Sequence, residues 1–78
     1  MKDFPSWLEE EKKYTHRVCL DIPSRLRRAC KILGIQEPDE NTIQELELRT
    51  DFKSMNRNIK SQLRRSVRLY LEYKSQNK

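Results

Sequence analysis

Arg17-Val18-Cys19-Leu20-Asp21-Ile22-Pro23 decides how the rest of this chain is read. Its apolar residues Val18, Leu20 and Ile22 alternate with Arg17, Cys19 and Asp21, a period of two that puts the first set on one face of a strand and the second on the other. Pro23 ends the run. It is the one convincing strand pattern in the 78 residues, so its N–H and C=O groups have no partner within a single chain. Even an isolated hairpin is marginal in water. A second copy of the chain supplies the missing partner, and the pattern predicts a homodimer whose two strands pair.

Length and composition fit that expectation. Seventy-eight residues make one domain whose core stabilises it only weakly, and oligomerisation is one remedy. A chain that is 35% hydrophobic and 37% charged, with one Gly and three Pro, reads as soluble and mostly helical rather than fibrous or loop-rich. The net charge of +5 hides an uneven distribution. Residues 17–34 hold five basic residues against one acid and residues 53–78 eight against one, whereas residues 35–52 hold one against six. Two basic segments flanking an acidic one favour a polyanionic partner, more so in a dimer. Cys19 and Cys30 form no C-x-x-C and His16 is the single histidine, so neither a zinc site nor a disulfide framework is predicted, and reduced thiols in a cytoplasmic protein are expected. No apolar leader and no run of ~20 apolar residues appears, which argues against secretion and membrane spanning.

Residues 1–15 read as an arm whose large apolar groups are Phe4, Trp7 and Leu8. The capping-box spacing of Ser6-Trp7-Leu8-Glu9 predicts a short helix over about 7–13. The arm either docks on the dimer or receives a protein partner, and Glu9-Glu10-Glu11 disfavours a grip on phosphates. After Pro23, Leu26, Ala29, Cys30 and Leu33 recur at helical spacing with Arg25, Arg27, Arg28 and Lys31 between them, and Gly34 stops the helix. Cys30 on the apolar side reads as a small buried hydrophobe. Pro38 and Asp39-Glu40-Asn41 announce a turn, with Asn41 as cap of an acidic connector helix of about 42–49 carrying Ile43, Leu46 and Leu48. Lys53 to Lys74 is the longest predicted helix, with Met55, Ile59, Leu63, Val67, Tyr70 and Leu71 as its apolar stripe and Arg57, Lys60, Arg64, Arg65 and Arg68 opposite. Residues 76–78 are a tail.

The order strand, Pro, helix, helix, with the strand spelled as above and continued by Ser24-Arg25-Leu26, resembles the ribbon-helix-helix family of DNA-binding proteins. Ile59 to Leu71, with apolar residues every fourth position and a Tyr70-Leu71 pair, is similar to the family's second helix. The resemblance covers residues 16–34 and about 54–72, and implies a mainly α fold with one short β-strand. Two chains would form an intertwined homodimer whose intermolecular two-stranded antiparallel β-ribbon enters the major groove. The departure is the connector of about twenty residues, whose acidic helix would lie on the flank or rear of the dimer, away from phosphates. In a second arrangement, residues 41–50 are the family's second helix and 53–74 an added third.

On this resemblance Arg17, Cys19 and Asp21 face the bases and Val18, Leu20 and Ile22 face the core. Arg17 would donate two bonds to guanine O6 and N7, Asp21 would accept from cytosine N4 or hold the partner subunit's Arg17, and Cys19 would touch a thymine methyl. Phosphates would be met at the start of the second helix by Lys53, Ser54, Asn56, Arg57 and Lys60. Arg64, Arg65 and Arg68 read as a solvated face. The implied function is that of a sequence-specific transcriptional regulator, repressor-like, of the kind found on plasmids, phages or viruses, with double-stranded DNA as partner and assembly beyond the dimer open. An antitoxin is the neighbouring reading, with the arm or connector wrapping a toxin. From other classes come a helix-turn-helix domain, suggested by Ala29-Cys30-Lys31-Ile32-Leu33-Gly34-Ile35, and a protein-binding adaptor or inhibitor that needs no nucleic acid. With one histidine, no glycine-rich phosphate loop and no nucleophile–base pairing, neither an enzyme nor a cofactor is predicted.

Overall fold

In the computed structural model, which describes residues 3–76, the stretch 17–22 is helical. The chain runs α1 (Phe4–Lys12), α2 (His16–Leu33), α3 (Thr42–Glu47), α4 (Thr50–Lys53) and α5 (Arg57–Gln76), with no strand among the described residues. The predicted β-ribbon, the ribbon-helix-helix fold and the intermolecular sheet are therefore corrected, and the argument for a dimer drawn from an unpaired strand goes with them.

The physical reason is that two periods compete over the same residues. Alternation spans six positions, whereas a helical stripe of Cys19, Ile22, Leu26, Ala29, Cys30 and Leu33 spans fifteen, and all six are buried. A helix also answers the orphaned-backbone problem within one chain, because its hydrogen bonds are internal. The helix starts where Thr15 caps it, its Oγ1 accepting from the Val18 N–H at 3.4 Å. Pro23 lies inside α2 rather than opening it. Lacking an N–H, it leaves the Cys19 carbonyl without its helical donor, a cost that burial of the stripe outweighs. The C-terminal end falls where predicted. Gly34 adopts φ 68, the left-handed conformation that glycine enters without penalty, and the N–H groups of Gly34 and Ile35 reach back to the carbonyls of Lys31 and Cys30.

α1 belongs to the core: Phe4, Trp7 and Leu8 are buried. It begins at Asp3, whose carboxylate accepts from the Ser6 N–H at 2.9 Å and is held below the usual carboxylate range by that bond. Phe4 and Trp7 pack with Tyr70 and Tyr73 of α5, with ring centroids 5.3–5.7 Å apart for the Phe4–Tyr70, Phe4–Tyr73 and Trp7–Tyr73 pairs. The indole N–H of Trp7 donates to Gln76 Oε1 at 2.9 Å. α2 packs chiefly against α5, through Leu63 and Val67 on the α5 side, and Leu46 of α3 and Phe52 of α4 close the remaining edge of the core. Asn41 makes no side-chain cap at α3; instead Thr42 Oγ1, fully buried, accepts from the Asp39 N–H at 2.7 Å. No helix among the described residues is long and apolar enough to cross a membrane.

Candidate nucleic-acid interface

Packing α2 against the core leaves one face outward, and positions three or four apart on a helix are neighbours there. That face carries Arg17, Leu20, Ser24, Arg27, Arg28 and Lys31, every one of them exposed. Of the five basic residues on α2, none makes an ion pair or side-chain hydrogen bond among the described residues, and Asp21 is its one acid. Leu20 is 55% exposed on the same face, one turn from Arg17.

The basic residues of α5 are engaged differently. Arg64 Nε donates to Glu47 Oε1 at 2.6 Å, and its guanidinium lies 5.3 Å from the Phe52 ring. Arg65 donates to the Tyr14 hydroxyl at 2.6 Å, and Lys74 pairs with Glu37 at 3.0 Å. The cations of α5 without such partners among the described residues are Arg68, exposed midway along it, and, at its start, Arg57 and the half-buried Lys60, close to Lys53 at the end of α4. A groove lined by Arg28, Lys31, Ile32, Asp51 and Met55 runs between α2 and this α4–α5 junction. Arg28 and Lys31 of α2 thus border this groove, whose junction side is supplied by Asp51 and Met55.

The residues assigned to bases are dispersed by the helix. Arg17 is exposed in the first turn of α2, Asp21 is half-buried one turn on, and Cys19 is 2% exposed with its thiol directed at the Tyr14 carbonyl. Burial pushes the thiols of Cys19 and Cys30 up, so both are protonated, inert groups at neutral pH. The residues assigned to phosphates do stay together at the beginning of the longest helix, although two are partly occupied. Asn56 caps α5, its Oδ1 accepting from the Ile59 N–H at 2.9 Å, and the Ser54 hydroxyl donates to the Asp51 carbonyl at 3.0 Å. Alternation missed Leu20 as a surface residue and left Arg27, Arg28 and Lys31 unassigned. Reading the apolar spacing backwards from Leu33 through Ile22 to Cys19 exposes all of them.

A polar cluster joins the loop that follows α2 to the C-terminal half of α5. The Tyr70 hydroxyl donates to Glu37 Oε1 at 2.7 Å, and burial followed by that bond pushes the phenol up to about 12. Glu37 is correspondingly lowered, first by Tyr70 and then by Lys74. No group of His, Cys, Asp and Glu among the described residues is placed to hold a metal ion. Neither a protein-family model, nor a curated protein, nor a solved structure matches this chain, so its function is argued from charge and geometry.

Proposed function

We propose that this chain is a duplex-DNA-binding module that lays the outward face of α2 along the major groove and steadies it with phosphate contacts from Lys53, Arg57 and Lys60. The observation that carries this reading is the row of exposed, unpaired cations on α2, Arg17, Arg27, Arg28 and Lys31, within a chain of net charge +5. A helix about 10–12 Å across fits a groove about 12 Å wide. Arg17 and Lys31 are fourteen residues apart, about 21 Å along the axis, which matches roughly six base-pair steps. Arg17 retains the role of donor to guanine O6 and N7, now from a helix rather than a strand. One chain presents the whole surface, so binding needs no ribbon. Occupancy of a site, without catalysis, is the mode of action of a transcriptional regulator, and this surface suits it.

Fluorescence anisotropy with a 30-base-pair duplex, titrated from 50 to 200 mM salt, tests the reading. Four to seven phosphate contacts give a slope of log affinity against log salt between about −4 and −6. Absence of binding at 50 mM salt, or an affinity indifferent to salt, would overturn it.

A further inference from the structure

Leu20 is the one apolar side chain on the outward face of α2 that the core does not use. An isolated exposed leucine needs no explanation in general. This one shares its face with Arg17, Arg27, Arg28 and Lys31, one turn from Arg17 on one side and from Ser24 on the other, where a polar residue would cost nothing. No second exposed apolar side chain accompanies it on this face to make a protein-docking patch, and the complement of a cationic face with one apolar point is a surface that is anionic at the rim and apolar at isolated points within. The major groove has that form, because phosphates line its edges and each thymine presents a methyl group inside it.

We propose that Leu20 is a specificity-determining residue that packs on the 5-methyl group of a thymine. This deepens the DNA reading above and rests on it. Leu20 follows Arg17 by three residues, a rise of about 4.5 Å, so the thymine lies one or two base pairs from the base addressed by Arg17. The site preferred by this protein therefore holds a guanine and a thymine at that separation.

The test uses deoxyuridine, which pairs as thymine does and lacks only the methyl group. A duplex enriched from a random 30-base-pair pool by the wild-type protein is synthesised with thymine and again with uracil throughout. Wild type is expected to bind the uracil duplex about fourfold more weakly, the value of one buried methyl-sized group. Leu20→Ala, which changes an exposed position and whose fold is verified by circular dichroism, is expected to bind both duplexes alike. Equal binding of the two duplexes by wild type, or undiminished discrimination by Leu20→Ala, overturns the role of Leu20 while leaving DNA binding standing. Failure to bind any duplex overturns both.

Discussion

α2 and α5 carry nearly the same charge, five basic residues against one acid and six against one, yet they use it in opposite ways. On α5 three of the six cations are structural: Arg64 closes over Phe52 and Glu47, Arg65 reaches Tyr14, and Lys74 reaches Glu37. On α2 none is committed among the described residues. The difference teaches that a count of basic residues along a helix says little about binding until their partners are known. Cations that already have partners must give them up before meeting a phosphate, and those without can act at once.

The sharpest way to break the comparison is to attack the placement of α2 itself. A strand would put Leu20 and Ile22 on the same buried face, whereas the helix separates them. Ile22→Ala is expected to cost about 2–5 kcal/mol in urea unfolding and Leu20→Ala no more than about 0.5 kcal/mol. Equal losses would restore the strand. Next come the cations. Arg17→Gln with Arg28→Gln should weaken duplex binding by roughly a hundredfold and flatten the salt slope by about one, the share of Arg28, with little change in melting temperature. Arg64→Gln with Arg65→Gln should do the reverse, lowering stability by about 1 kcal/mol with the slope nearly kept. If both pairs flatten the slope alike, the two helices bind together.

Pro23→Ala restores the missing donor to the Cys19 carbonyl and is expected to raise stability by about 1–2 kcal/mol, less than the full helix penalty because proline also restricts the unfolded chain. A fall in melting temperature would show that the ring at this position is needed for packing. The smallest effect concerns Tyr70, whose folded value of about 12 lies above its ordinary value of 10.0. The neutral phenol is the form the fold favours, so its contribution is complete below pH 10 and is lost as pH rises through 12. Subtracting the ultraviolet titration of Tyr70→Phe from that of wild type should leave a transition centred near 12. A midpoint near 10 would mean that Glu37 does not hold the hydroxyl in solution. At the acid end, Glu37 is lowered from 4.5, so its contribution is present above that pH and disappears as pH falls below it.

How far the sequence could be read follows from the same two helices. α5 was legible because Ile59, Leu63, Val67 and Tyr70 repeat every three to four residues while Ser61 and Arg65 interrupt any period of two, and its basic side was identified with it. Gly34 marked the end of α2 for an equally local reason, the need for a left-handed residue. The start of α2 was obscured because Val18, Leu20 and Ile22 satisfy a period of two while Cys19, Ile22 and Leu26 satisfy the helical one. A cysteine is a weak apolar marker beside a leucine, and Pro23 argued for a boundary where none exists. What decides between the two periods is the partner surface of α5, which local sequence does not contain. The same holds for α1, which is capped by Asp3 rather than by the Ser6–Glu9 box and whose docking on Tyr70 and Tyr73 depends on residues more than sixty positions away. The predicted helix from Lys53 is broken at residues 54–56, so Lys53 closes α4 while Arg57 and Lys60 open α5.

The Trp7–Gln76 hydrogen bond brings the two extremes of the described chain side by side. A fold arranged in this way is nearly a ring already, and a short peptide joining the start of α1 to the end of α5 would add little distortion to the native state. Such circularisation acts on the denatured ensemble alone, and for a loop of this size chain statistics place the gain at about 4 kcal/mol. The same adjacency permits new ends to be opened elsewhere, for example between α2 and α3, without separating the aromatic corner that α1 and α5 share.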